Sequence, residues 1–166
     1  YYRWDSTGPF IDNSVTPVTA TAMEGSHLLE WYSEDNAVDA LFAHNVEATQ
    51  STTVKVDTTD PTVAVTSSTL DGAYNVPDAI NVTLTFSEPV TTTDTITVTL
   101  ETGATDRTCI VPIMTSATVG TCTYTVQAGD TSSDLTTNSI AATTGFVLDI
   151  AGNTANLTPT SDLDIT

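Results

Sequence analysis

Hydrophobic and polar residues alternate through much of the second half of the chain. Residues 79–86 alternate strictly, with Ile80, Val82, Leu84 and Phe86 on one side. A period of two predicts strands with one buried face. Similar runs lie at 62–67, around Cys109 and Cys122, and at 95–100, 146–150 and 154–159. Turns are predicted at Ser87–Pro89, Glu101–Gly103 and Gln127–Asp130. About seven short strands separated by turns are typical of an immunoglobulin-like sandwich.

The first 56 residues predict a similar sheet with fewer strands. Candidate strands are Tyr1–Trp4, Val15–Ala22, His27–Ser33 and Val46–Val56, and Ser33–Ala40 is predicted to be an acidic loop. Within the third strand, Leu29 and Trp31 share a face that we expect to be its core side. About four strands fall short of the roughly seven that a sandwich needs. We therefore expect this domain to be incomplete at its N-terminus.

A short acidic joint separates these two parts. In Asp57–Pro61, the proline has no N–H to donate and keeps Asp60 extended, so sheet pairing should stop there. The sequence thus predicts an all-β chain of two tandem immunoglobulin-like sandwiches, with a partial domain at 1–56, a joint at 57–61 and a complete domain at 62–166. The tail Thr160–Thr166 has strand character, and we expect no partner for it within its own domain.

Charge narrows the possible partners. The chain has 21 acidic residues against 3 Lys and Arg, a formal net charge of −18. Such a chain should repel nucleic acid and anionic membrane surfaces and attract divalent cations. No stretch is long and apolar enough for direct membrane insertion.

Several motifs resemble known repeats. Residues 25–36, followed by Val54–Pro61, resemble bacterial and archaeal Ig-like repeats of large secreted surface proteins. The second part resembles another such prokaryotic repeat, at Phe86–Val90, Leu100–Gly103, Tyr124–Asp130 and Asp149–Asn153. The resemblance implies a tandemly repeated extracellular protein of structural or adhesive type, and it identifies no ligand.

The two cysteines predict a disulfide. Cys109 and Cys122 flank residues 110–121, a spacing that suits two neighbouring antiparallel strands joined by a loop. A disulfide there would cross-link the two strands of a hairpin and imply an oxidising, extracellular setting. The alternative is a pair of small buried thiols.

Calcium is the predicted cofactor. In a sandwich entered at one end, the loop after the second strand and the loop between the last two strands return to the entry end. Carboxylate and amide oxygens from these loops and the joint would suit Ca²⁺, which takes six to eight oxygen ligands. The predicted ligands are Asp57, Asp60, Glu88, Asp149 and Asn153. The alternative is that residues 149–153 form a tight turn and the acids are solvated.

Other chemistry has little support in the sequence. His27 falls in a predicted strand and His44 in a predicted loop, with no nucleophile motif beside either, so we expect no enzyme activity. His and Cys are not clustered as zinc requires. Asn81-Val82-Thr83 and Asn156-Leu157-Thr158 fit the N-glycosylation pattern, which arises often by chance in Thr-rich chains.

Two functions remain. The first is a structural repeat of an extracellular surface protein or filament, completed head-to-tail by strands from copies of itself or from adjacent repeats, with calcium stiffening the joints. Residues 158–166 or an upstream segment would donate the strand. The second is an adhesin module, in which loops of the second domain bind a carbohydrate or a host or cell surface. The aromatic residues available for stacking on sugars are Tyr1, Tyr2, Trp4, Trp31 and Tyr32, and most of these are expected in a core or at a sheet edge.

Overall fold

In a computed structural model, the described residues are 1–8, 10–11, 23–38 and 44–163. They form strands joined by turns and loops, which confirms the all-β prediction. The strands are β1 (Tyr2–Trp4), β2 (Gly25–Trp31), β3 (Glu34–Val38), β4 (His44–Val46), β5 (Gln50–Val56), β6 (Thr62–Thr66), β7 (Ala79–Thr92), β8 (Ile96–Leu100), β9 (Arg107–Val111), β10 (Ala117–Thr125), β11 (Thr137–Ala142), β12 (Val147–Leu148) and β13 (Asn156–Pro159). Among the described residues, no helix could cross a lipid bilayer.

The chain divides into two compact units, Tyr1–Thr58 and Thr59–Thr166. The boundary falls inside the predicted joint at 57–61. Each unit is described by itself below, as unit 1 and unit 2. The edge strand predicted at Val15–Ala22 lies outside the described residues.

Unit 1 contains a three-stranded antiparallel sheet in the order β1-β2-β5. Cross-strand pairing places Tyr2, Trp4, His27, Leu29, Trp31, Val54 and Val56 on one face. Leu29 and Trp31 therefore share a face as predicted, but the expectation that this face is a core side is not confirmed, because Trp31 is 39% exposed. The opposite face is partly polar, since Arg3 donates to both carboxylate oxygens of Glu30, at 2.8 and 3.1 Å.

The predicted acidic loop at Ser33–Ala40 is wrong for its central part. Residues 34–38 form β3, which pairs antiparallel with β4. His44 therefore begins a strand and does not lie in a loop. The acidic composition hid this strand because Asp and Asn are depleted in strands.

Unit 1 has no buried side chain among residues 1–8, 10–11, 23–35 and 44–58, for which burial is described. Leu29 and Trp4 are half-buried, and Trp31 remains 39% exposed. By contrast, every core residue of the described chain belongs to unit 2, from Val63 onward. The described part of unit 1 is thus a paired sheet without an interior.

Unit 2 packs two sheets around a hydrophobic core. One sheet has the order β10-β7-β6-β13, with β12 also paired to β7, and the other has the order β11-β8-β9. The predicted inward residues of β7 are buried, at 0 to 3% exposure: Ile80, Val82, Leu84 and Phe86. From β8, Ile96, Val98 and Leu100 are fully buried as well. Because valine, isoleucine and leucine alternate with threonine, one face of each strand fills the core.

The turn predicted at Ser87–Pro89 is wrong, because β7 runs through it. Thr85 pairs with Val119 and Val90 with Ala117, so residues 86–89 stand opposite the single residue 118. This is a wide bulge inside a long strand. Pro89 lacks the N–H that regular ladder pairing would use, which favours the interruption.

The structure also adds a strand and anchors the tail. The sequence did not predict β11, which pairs with β8 and buries Ile140. The tail was expected to lack a partner in its own domain, and that expectation is wrong for its described part. Leu163 is 5% exposed in the core, and the Ser161 hydroxyl donates to the Val65 carbonyl at 2.8 Å.

Candidate functional site

Two loops of unit 2 meet where the chain enters it. The backbone N–H of Thr62 donates to the Ser87 hydroxyl at 3.0 Å, which ties the bulge to the start of β6. The N–H of Asn156 donates to the carbonyl of Pro61 at 2.8 Å, which ties the segment after residues 149–153 to the same place. The bulge thus supplies Glu88 to the entry end.

Asp149 organises the second of these loops. It is 7% exposed, and its Oδ1 accepts the N–H groups of Gly152 and Asn153 at 2.6 and 2.9 Å. Its Oδ2 accepts from the side-chain amide of Asn153 at 2.8 Å. Burial alone would raise the pKa of Asp149, but these hydrogen bonds outweigh it and lower the pKa below its ordinary value. Asp149 is therefore ionised at neutral pH and shapes a tight turn.

A second carboxylate stands beside this buried one. A carboxylate oxygen of Glu88 lies within 4.8 Å of one of Asp149. Ca²⁺ binds oxygen at about 2.3 to 2.6 Å, so two ligands of one ion are separated by at most about 5 Å. Asp149 Oδ2 accepts the hydrogen bond from the Asn153 side chain, and a carboxylate oxygen has two lone pairs. The pair thus fits a shared divalent cation.

The other predicted calcium ligands differ in burial and in position along the chain. Asp60 is exposed, close to the start of unit 2. Asn153 is half-buried and gives its side-chain N–H to Asp149. Asp57 is half-buried and belongs to unit 1, directly after β5.

The cysteines form the predicted disulfide, but in another setting. Cys109 and Cys122 are bonded, with Cα atoms 5.6 Å apart. The hairpin expectation is wrong, because β9 pairs with β8 while β10 pairs with β7. The bond therefore joins the two sheets across the core, where both cysteines are buried.

An ionic cluster that the sequence did not predict lies in unit 2. Arg107 Nε donates to Asp130 Oδ1 at 2.8 Å, and the Tyr124 hydroxyl donates to Asp130 Oδ2 at 2.5 Å. Burial alone would raise the pKa of Asp130, but hydrogen bonds from Tyr124 and Arg107 outweigh it, so its pKa lies below the ordinary value. Arg107 is the sole Lys or Arg of residues 61–166, and this was the sequence feature that could have indicated an ionic cluster.

The two sequons differ in accessibility. Asn81 is half-buried, and its Oδ1 accepts the Thr83 hydroxyl at 2.9 Å. Asn156 is exposed on β13, which is at the edge of its sheet. Asn156 is thus the more accessible acceptor.

No protein-family model, curated protein or solved structure matches this chain. The resemblance to Ig-like repeats of surface proteins therefore stays a prediction.

Proposed function

We propose that the chain is a non-enzymatic structural segment of an extracellular surface protein or filament. The observation that carries this proposal is the contrast in burial. Unit 2 has a hydrophobic core, whereas residues 1–8, 10–11, 23–35 and 44–58 of unit 1 include no buried side chain. A small sheet that buries so little gains too little free energy to offset the conformational entropy lost on folding.

An added strand would relieve this deficit. In the described chain, β5 is an edge strand of the unit 1 sheet, with Val54 and Val56 on the same face as Leu29. Sheet edges accept strands from other chains through main-chain hydrogen bonds. We infer that a neighbouring copy or an adjacent repeat, arranged head-to-tail, provides this strand.

The described part of the tail, which ends at residue 163, is unsuitable as the donated strand. Thr160 donates its N–H to the Val63 carbonyl at 2.8 Å, and Leu163 is buried in the core of unit 2. Donation of residues 158–163 would break these contacts and open a folded unit. The strand would therefore come from another segment of the neighbouring repeat.

Other observations support the extracellular and non-enzymatic parts of the proposal. A disulfide across a core suits an oxidising compartment. The histidine ring nitrogens hydrogen-bond to a carboxylate and to backbone carbonyls: His27 contacts Asp5 and Met23, and His44 contacts the Asp35 carbonyl. Neither contact is the nucleophile–base arrangement that covalent catalysis needs.

Self-association of the intact chain tests the proposal. Light scattering and electron microscopy, with and without EDTA, should show threads or oligomers whose length grows with protein concentration. Trp31→Ser should weaken assembly, because Trp31 is an exposed part of the apolar face of unit 1. Leu70→Ser is the matched control, since Leu70 is 81% exposed in unit 2. A monomer at every concentration, with unit 1 amides protected from exchange, would overturn the proposal.

Calcium is part of the same proposal, with Glu88 and Asp149 as its best-supported ligands. Asp57, Asp60 and Asn153 remain candidates from sequence position. EDTA should lower the melting temperature and Ca²⁺ should restore it, because a bound ion stabilises the folded state. A melting temperature that EDTA leaves unchanged would exclude the site.

Glu88→Gln is the sharpest ligand variant. It keeps the shape of the side chain and removes the charge, whereas Asp149→Asn would also disturb the hydrogen bonds that shape its own loop. Glu88→Gln should abolish the response to Ca²⁺. The control Glu101→Gln, at a carboxylate that accepts from Gly103 and Ser132, should retain the response. Asp57→Asn and Asp60→Asn then test the two ligands proposed from sequence.

Glycan binding is the second candidate, and Trp31 is the observation that favours it. Its ring is partly exposed, whereas Tyr1 and Tyr32 stack on each other with ring centroids 4.9 Å apart. Sugar binding by stacking needs a free aromatic face. Glycan-array binding that survives Trp31→Ala would count against this function.

A further inference from the structure

Both ring nitrogens of His27 face groups that only accept hydrogen bonds. Nδ1 lies 2.9 Å from Oδ2 of Asp5, and Nε2 lies 3.0 Å from the backbone carbonyl of Met23. A neutral imidazole carries one N–H and can donate to one of these partners. The imidazolium ion carries two and can donate to both. The geometry of the site therefore matches the charged form of His27.

The Asp5 carboxylate extends this contact into the sheet. Its Oδ1 accepts the N–H of Leu28 at 2.8 Å, and the N–H of Asp5 donates to the Leu28 carbonyl at 2.8 Å. Asp5 has a φ of 52°, a left-handed conformation that Asp tolerates better than most residues. His27 thus connects three places in unit 1: the turn after β1, strand β2, and the segment before β2.

Among the described residues, Asp5 is the charged partner of His27. From β5, the residue opposite is Val54, and from β1 the ring of Trp4 approaches edge-on at 6.4 Å. Cross-strand pairing puts Arg3, Glu30 and Lys55 on the other face of the sheet. From the turn before β2, the Glu24 carboxylate accepts the N–H and the hydroxyl of Thr58.

We propose that His27 is a pH-sensitive latch, meaning that its protonated ring holds together the turn after β1, strand β2 and the segment before β2. When the ring loses a proton, these contacts weaken. The inference is independent of filament formation, calcium or glycan binding. It concerns the stability of the folded state of unit 1 and the local opening of its strands.

The direction of the pH dependence follows from the two partners. The hydrogen bond that His27 donates to Asp5 raises the pKa of His27 above its ordinary value, and the same contact lowers the pKa of Asp5. A raised histidine pKa gives stability that is complete below the unfolded pKa and is lost as pH rises through the folded pKa. The contacts of the latch should therefore stabilise unit 1 at pH values between the lowered pKa of Asp5 and the raised pKa of His27.

His44 provides a control histidine in the same unit. Its Nδ1 donates to the Asp35 carbonyl at 2.8 Å, and the same atom lies 3.8 Å from a carboxylate oxygen of Glu34, beyond hydrogen-bond distance. Among the described residues, an acceptor faces this one nitrogen of His44, whereas acceptors face both ring nitrogens of His27. One NMR titration of the intact chain reports both rings.

The experiment follows the His27 and His44 ring signals and the exchange of the Leu28 amide from pH 5 to pH 9. We expect the His27 midpoint to lie above the ordinary histidine value, and the protection factor of Leu28 to fall about tenfold with the same midpoint. His27→Gln, which donates from one amide group and carries no charge, should remove this pH dependence. His44→Gln should preserve it.

Two results would overturn the latch. One is a His27 midpoint at or below the ordinary histidine value, and the other is Leu28 protection that does not change with pH. If His27→Gln fails to fold unit 1, Asp5→Asn replaces it. Asp5→Asn keeps an acceptor oxygen but removes the charge, so it should lower the His27 midpoint, and an unchanged midpoint would also refute the proposal.

Discussion

Tyr124 donates its hydroxyl hydrogen to the carboxylate of Asp130 at 2.5 Å, inside a unit whose sole Lys or Arg residue, Arg107, binds the other oxygen of that carboxylate. Burial and this hydrogen bond raise the pKa of Tyr124 well above its ordinary value. The arrangement joins the end of β10, the start of β9 and the loop after β10. It is therefore expected to act as a structural cross-link.

Tyr124→Phe should lower the stability of unit 2 by about 1 to 2 kcal/mol, because it removes a hydrogen bond to a charged group and leaves the ring in place. Urea unfolding monitored on unit 2 measures the change. Tyr74→Phe is a useful comparison, since the Tyr74 hydroxyl donates to a backbone carbonyl, that of Leu70. An equal or larger loss in that comparison would contradict a special role for the Asp130 contact.

Acid should weaken unit 2 through Asp130. A carboxylate with a depressed folded pKa gives stability that is complete above its unfolded pKa and is lost as pH falls through the folded pKa. In Asp130→Asn, the loss of stability between neutral and strongly acidic pH should be smaller than in the original chain. Melting temperatures measured from pH 7 to pH 2 test this, and parallel curves for the two proteins would refute it.

The intersheet disulfide should contribute about 2 to 4 kcal/mol to the stability of unit 2, because it restricts the unfolded chain. Reduction should lower the urea midpoint by a corresponding amount. A Cys109→Ala, Cys122→Ala double variant should be insensitive to the reductant, which separates loss of the bond from side effects of the reagent. An unchanged midpoint in the original chain would show that the bond is not needed.

Gly120→Ala should destabilise unit 2 by about 1 to 3 kcal/mol through overpacking. An added Cβ would lie 2.6 Å from a methyl carbon of Val111 and 2.8 Å from the sulfur of Met114, both of which are buried. The neighbouring exposed residue supplies the control, Thr121→Ala, which should change stability by no more than about 0.5 kcal/mol. Thermal unfolding of both variants measures these two changes in stability.

The sequence predicted the parts of the fold that follow from strict alternation. Val82 and Leu84 are buried as expected, because a strand with one apolar face has a single favourable orientation on a core. It missed β11, where Ile140 is the one large apolar side chain in a segment of Thr, Asn, Ser and Ala. It misplaced the disulfide because spacing along the chain does not say to which sheet each strand belongs.

The candidate site was predictable only in outline. Return of two loops to the entry end followed from topology, and this placed Glu88 and Asp149 near each other. The bulge that presents Glu88 depends on the pairing of β7 with β10, which no local signal revealed. The two acceptors of His27 are likewise a property of the folded sheet, since Asp5 and His27 are 22 residues apart.

The parallel pairing of β6 and β13 has a mechanical consequence. Among the described residues, these are the first and last strands of unit 2, so a pull applied to residues 62 and 163 would slide one strand along the other. The bonds between them, from Asn156 to Pro61 and from Thr160 to Val63, would then carry the load together. Force spectroscopy should show high resistance when residues 62 and 163 are pulled and lower resistance when residues 62 and 156 are pulled, where the strands would peel apart one bond at a time. Equal forces in the two directions would exclude this resistance to shear.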